Sequence, residues 1–231
     1  MRDYAHPTKR TYVRDVVRPY FYEPGIAWTE DALEALDDHR ADLVLTDAFV
    51  SWSLLAAELR GVPSVALSTT PLFIPFPGST SAISAMIPAP RWLARARDAA
   101  LNWVIERVHD SLLDDIQRVR AHFGRPPVRH TLDPVRAADR ILVLSHASFD
   151  PAAGSTPRHV QWVGPLHDDP HWAEPWSDPF PQSDDRPLVL VGLSTTFQDQ
   201  VPLLRRLVAA LSTLPVRAVV TRGPALRPDE V

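Results

Sequence analysis

The chain has no cysteine, so disulfides, thiolate metal centres and a cysteine nucleophile are all excluded. No apolar run approaches the roughly 20 residues that cross a bilayer. The opening residues MRDYAHPTKR also lack the apolar centre of a signal peptide. A soluble, cytoplasmic protein with no integral membrane segment is expected on these grounds. The phosphate-binding pattern GxxxxGK(S/T), the dinucleotide fingerprint GxGxxG and the metal motif HExxH are each missing. A net charge of −4 argues against a general binder of nucleic acid or anionic membranes. Arginine far outnumbers lysine, which a GC-rich genome explains more simply than function does.

What is present is ordinary globular material, 45% hydrophobic, in a length that fits one large domain or parts of two. The organising stretch is Ala41 to Pro71. Leu43, Val44 and Leu45 form a short apolar run, as in a strand covered on both faces. Phe49 to Arg60 is apolar nearly all round, predicting a well-buried helix, and Gly61 is placed to end it in a left-handed cap. Pro63 to Leu67 is the next strand. This is a βαβ unit with parallel strands.

In front of it, residues 1–28 open with neither a strand nor a tight glycine turn. Tyr12, Val13, Val16, Val17, Tyr20 and Phe21 have helical spacing that Pro19 is expected to interrupt and Pro24-Gly25 to end. Thr29 is the expected N-cap of a helix running to about Arg40. Behind the unit, Leu72 to Pro90 reads as a long loop. Two readings stay open for it: a lining for a binding site, or a surface connection that buries Phe73 and Phe76. From Arg91 to Phe123 one apolar stripe (Trp92, Ala96, Ala99, Trp103, Val108, Leu112, Ile116, Val119, Phe123) predicts a core-covering helix or helix pair ended by Gly124. Strands follow at Arg140–Leu144 and His159–Val163. Residues 167–187, crowded with proline and aspartate, read as an interdomain linker. The rhythm then restarts with a strand at Leu188–Leu193, a helix at Val201–Leu211 and a strand at Val216–Thr221. One βαβ unit cannot close a core alone, so the expectation is an α/β protein with residues 1–166 as an incomplete first domain and 188–231 as the start of a second.

Three groups of residues could carry chemistry. Asp47 ends a parallel strand and so faces the crevice where α/β domains bind ligands, although an aspartate there equally suits capping the next helix by accepting its backbone N–H bonds. Thr69 ends the neighbouring strand. Ser194 and Thr195, between a strand and a helix, suit either a phosphate or simple capping. His167, Asp168, Asp169 and His171 have the right types for a metal, but they lie in the proline-rich linker with nothing to orient them; no metal is expected.

Taken in order, DLVLTDAF, AAELRGVPSVALSTTP, HVQWVGPL, LVLVGLSTTFQDQ and PVRAVVTRGPAL resemble the inverting, metal-independent nucleotide-sugar glycosyltransferases of the GT-B fold. These include antibiotic and macrolide glycosyltransferases and the UDP-glycosyltransferases, and the resemblance covers residues 41–231. It implies two Rossmann-like parallel-sheet domains, a UDP- or TDP-sugar as co-substrate with no other cofactor, and a small lipophilic acceptor. In such enzymes the strand-end aspartate, here Asp47, holds a histidine that deprotonates the acceptor. Thr69, Ser194, Thr195 and, least securely, Thr221 would meet the donor. The resemblance also implies that the histidine-bearing turn and the donor-clamping His-Gly-Gly turn lie outside this sequence, making it an inactive fragment lacking both ends. Two alternatives remain: a non-catalytic auxiliary or decayed relative, or another GT-B enzyme such as a sugar-nucleotide epimerase. The oligomeric state is left open.

Overall fold

A computed structural model describes residues 11, 13–81, 90–167, 171–172, 174–193, 199–223 and 226. Contacts between Cα atoms divide the chain into two units, 17–168 and 169–231, the latter grouped with residues 1–16. Among the described residues no helix is long and apolar enough to cross a membrane.

The first unit is built on four parallel strands in the spatial order β1-β2-β3-β4: β1 Val44–Asp47, β2 Ser64–Ser68, β3 Arg140–Val143 and β4 Val160–Trp162. β1 and β2 run in register from Val44 opposite Ser64 to Asp47 opposite Leu67. The helix between them, α2 (Trp52–Arg60), stops at Gly61, whose φ of 67° gives the left-handed cap predicted for it. Trp52, Leu54, Leu55, Ala56 and Ala57 of α2 are all buried, so this helix is as enclosed as its composition requires. β1 is not. It pairs on one side only, and Leu43 and Leu45 are exposed, Leu45 to 57%. The apolar run that predicted two covered faces belongs to the edge of the described sheet.

Helix α1 (Gly25–Asp38) corrects the expected boundaries. Pro24 and Gly25 start it rather than ending the previous segment, because Gly25 is where it crosses α2. A Cβ there would come within 2.7 Å of the Trp52 indole. Thr29 is therefore one turn inside, buried, with its hydroxyl donating to the Gly25 carbonyl at 2.7 Å instead of capping. Pro19 does not interrupt its segment either. Val13–Tyr22 winds as a π-helix containing it, and bonds such as Glu23 N–H to Arg18 C=O (2.9 Å) step five residues. The wider turn keeps the i−4 carbonyl, which a proline ring would strike in an α-helix, out of its way.

Two layers of packing hold this unit together. Trp52 and Leu55 of α2 pack with Ile116 and Val119, while Tyr22, Ile26 and Phe123 close in around them. The other cluster joins Ile141 and Val143 of β3 with Leu132, Val135 and the extended segment Leu72, Ile74 and Phe76. Burying each such side chain contributes about 1.5–3 kcal/mol. The segment after β2 is thus partly core, as the connection reading held, while Pro75 to Thr80 also line a groove.

The predicted stripe over 91–123 divides at a short 3-10 turn, Asp110–Leu112, into α3 (Arg91–His109) and α4 (Leu113–His122), and Gly124 follows with φ 65°. Only the second half covers the core. Leu112, Ile116 and Val119 are buried, whereas Trp92, Trp103 and Val108 face solvent. α4 is further fixed to α2 by Arg120, whose guanidinium donates to Glu58 at 2.9 Å and to the Pro126 carbonyl at 2.8 Å. The short helix α5 (Asp133–Arg136) leads into β3.

The second unit holds β5 (Leu188–Gly192), α6 (Val201–Leu211) and β6 (Arg217–Thr221), the strands parallel from Leu188 opposite Arg217 to Gly192 opposite Thr221. Leu204 of α6 is fully buried, while Val208, one turn further on, is exposed. The described residues of 167–187 form no helix or strand, and their turns are held by aspartates: Asp178 accepts from Phe180 N–H (3.0 Å) and Asp184 from Arg186 N–H (3.2 Å).

Candidate functional site

Parallel strands deliver their last residues to one edge of the sheet, and β1 and β2 deliver Asp47 and Thr69 there together. One carboxylate oxygen of Asp47 accepts the Phe49 N–H at 2.8 Å, holding the turn that leaves the strand. The other accepts the Thr69 hydroxyl at 3.3 Å. Asp47 thus holds the turn before α2 rather than capping that helix, and its second oxygen is engaged by Thr69. Asp47 is partly buried and Thr69 exposed, so the pair is within reach of a ligand. Ser68, by contrast, is buried and donates to the Thr70 carbonyl at 3.1 Å, which fixes the chain as it leaves β2.

An aromatic row stands beside this edge. The rings of Phe49 and Phe73 stack with centroids 4.5 Å apart, and Phe73 stacks in turn on His109 at 5.9 Å. Sequence reasoning placed Phe49 in a buried helix, yet it precedes α2 and is 45% exposed. It also missed Asp150. That buried carboxylate gathers the Leu72 N–H (2.7 Å), the Trp162 indole N–H (2.8 Å) and the Ala152 N–H (2.9 Å), anchoring the segment after β2 to the ends of β3 and β4. No local pattern announces it, because two of its partners come from distant parts of the chain.

In the second unit, Thr221 ends β6 opposite Gly192, and its hydroxyl lies 3.4 Å from the Val191 carbonyl. Ser194 and Thr195 lie outside the described residues. Of the linker set, His167 and His171 are exposed, and Asp168 and Asp169 also lie outside the described residues.

Among the described residues, Glu106, Asp110 and His130 present ligand-type atoms within 4.8 Å of one another. Each is already engaged. Arg136 donates to both oxygens of Glu106 (2.6 and 3.0 Å), while Asp110 takes the Thr131 N–H at 3.0 Å and faces His130 at 2.9 Å. The hydrogen bond from the His130 ring to Asp110 and the nearby charges of Glu106, Asp110 and Asp133 raise the His130 pKa above its ordinary value, against the opposing effect of burial. The Arg136 guanidinium stands where a metal's charge would be needed. The cluster reads as a structural ion-pair network.

No family model matches the chain. Over 220 residues it is 28% identical to 4'-demethylrebeccamycin synthase of Lentzea aerocolonigenes, a match that takes in 90% of this chain and 51% of that protein. Its fold matches a glycosyltransferase of kitacinnamycin (TM-score 0.61, 21% identity, 97% of this chain and 53% of the other). It also matches a calicheamicin glycosyltransferase (TM-score 0.59, 22% identity, 97% and 53%). The chain thus spans about half the length of the relatives it matches. The architecture is the GT-B type. In sequence the chain is similar to one antibiotic-type synthase, and in fold to two antibiotic glycosyltransferases.

Proposed function

We propose that this chain is the acceptor-side portion of an enzyme, with the opening of its donor side, that moves a sugar from a UDP- or TDP-sugar to a hydroxyl of a small lipophilic natural product. The relatives' names supply the class. The observation that carries the reading at residue level is the convergence of Asp47 and Thr69 at 3.3 Å on the crevice edge of adjacent parallel strands.

The chemistry assigned to each residue follows from its atoms. Asp47 accepts the N–H of a catalytic imidazole, fixes its tautomer and stabilises the imidazolium once the acceptor proton arrives. The acceptor oxygen, losing that proton, forms a bond to the anomeric carbon as the bond to the nucleotide diphosphate breaks on the opposite face, inverting the centre. Thr69 donates to a sugar hydroxyl of the donor. Phe49 gives the acceptor an apolar wall beside Asp47. In the second unit Ser194 and Thr195, which follow β5 in the sequence, meet the diphosphate, and Thr221 lies near the ribose.

The test is Asp47→Asn in the full-length gene product, scored by acceptor-dependent release of nucleotide diphosphate. An amide keeps the turn but presents the wrong hydrogen-bonding pattern to the imidazole. A fall in kcat of roughly 10²–10⁴-fold is expected, with donor binding unchanged. Equal turnover would remove Asp47 from the mechanism, and nucleotide-sugar turnover without an acceptor would favour the epimerase reading.

A further inference from the structure

We propose that the exposed face of α3 is where two copies of this chain associate. Trp92 and Trp103 lie on one side of the helix, three turns apart, and are 79% and 66% exposed. Between them on the same stripe stand Ala96 and Ala99, both open to solvent. Read from either end, the stripe is Trp, Ala, Ala, Trp. An antiparallel second copy therefore meets its own pattern. A two-fold axis passing between Arg97 and Asp98 sets Trp92 against the partner's Trp103 and Ala96 against the partner's Ala99. The two small residues at the crossing let the helices approach to about 8 Å, the short end of helix packing.

The same patch holds a hollow. Beside the stripe lies a groove of about 1380 Å³ whose lining includes both indoles together with Pro75, Gly78, Arg95 and Asn102. An isologous interface needs projections and recesses on one surface, because each copy must supply what the other receives. Here the indoles project and the groove is where the opposing indoles fit, with Arg95 available to lie against a ring face. Leu93 and Val104, also exposed, extend the apolar margin. Aromatic side chains bury about 150–250 Å² each. Two indoles with their margin thus bring the total for two copies to about 1,000 Å², the lower bound for a specific interface. Association is accordingly weak and concentration-dependent. It is independent of the glycosyl-transfer reading, since it uses neither Asp47 nor Thr69.

Sedimentation velocity of the 231-residue chain across about two decades of micromolar concentration should show its mass rising from one copy towards two. Trp92→Arg should weaken association about thirtyfold, as loss of a tryptophan anchor does. Trp172→Ala, which removes an exposed indole elsewhere, should leave it unchanged. The absence of cysteine makes the register directly measurable. When Ala96→Cys and Ala99→Cys chains are mixed and oxidised, the 96-to-99 disulfide should form several times faster than either self-pair. A mass constant over the range, equal sensitivity to Trp172→Ala, or self-pairs that match or outpace the mixed pair would each overturn the proposal. If Trp92→Arg fails to fold, the disulfide pattern decides alone.

Discussion

The two units use one grammar, strand-helix-strand with parallel pairing, and reach different ends. In residues 17–168 four strands carry apolar layers, and Ile141, Val143 and Ala66 are removed from water almost completely. Among the described residues 169–231, the buried side chains are Gln200, Leu204 and Leu226, while Leu190 remains 70% exposed. A βαβ unit has two sheet faces and one helix to cover them, so an isolated one leaves half its apolar side chains in water. Local pattern makes the strands; the number of strands makes the core.

That contrast is open to direct attack by substituting at comparable strand positions. Ile141→Ala should cost about 2–5 kcal/mol, measured as faster exchange of the β3 amides with deuterated water. Leu190→Ala should stay within about 0.5 kcal/mol in the β5 amides. A large loss at Leu190 would mean that this face is covered in solution, and the contrast would fail. Next in size is Asp150→Asn. The amide oxygen can still serve the Leu72 and Trp162 donors, but its NH₂ group opposes the Ala152 N–H, so one buried donor is stranded. The expected cost is about 1–3 kcal/mol, read by the same exchange experiment over 72–76. No effect there would show that the carboxylate does not anchor the segment.

What was legible in the sequence follows the same division. The strands and α2 were readable because a short apolar run and a glycine stop are local signals, and Gly61 caps where it was placed. Asp47 and Thr69 were readable as strand ends. The edge position of β1 was not, because an apolar run says that a strand expects cover without saying whether cover is supplied. Thr29 looked like a cap because it precedes two acids; what moved the helix start was Gly25 meeting Trp52, a contact across the fold. Trp92 and Trp103 fitted a core stripe by spacing alone, and spacing does not record which of several apolar faces the sheet takes up.

Glycine offers a smaller version of the comparison. Gly25→Ala places a methyl group 2.7 Å from the Trp52 ring, within a packed layer, and should cost about 1–3 kcal/mol in thermal unfolding. Among the described residues, a Cβ at Gly192 in β5 meets the Thr221 hydroxyl at 3.7 Å, an ordinary contact. With a strand glycine's entropy removed, Gly192→Ala should be neutral or stabilising by up to about 1 kcal/mol. Equal losses at both sites would put the second unit's packing on a par with the first.

The smallest effect is on pH, and the two units differ in it as well. In the first, burial tends to raise the Glu58 carboxyl, but hydrogen bonds from Arg120 and Arg125 outweigh it and hold the group below its ordinary 4.5. A lowered acid stabilises fully above its unfolded value, and that contribution fades as pH falls through the folded one. His130 runs the other way. Its pKa is raised above 6.5, chiefly by its hydrogen bond to Asp110, so its contribution is complete below about 6.5 and is lost as pH rises through the folded value. Both are therefore in force between about pH 4.5 and 6.5, a plateau that should decline on either side. Each group is partly exposed, which limits either contribution to about 1 kcal/mol or less. In the second unit Arg186 holds Asp184 at about 2, so that exposed pair stays ionised through the whole window and adds no slope to it. Urea midpoints followed from pH 4 to 9, a span of about five units, should show the alkaline decline vanish in His130→Gln and the acid decline persist; an unchanged alkaline limb would take the His130–Asp110 contact out of the account.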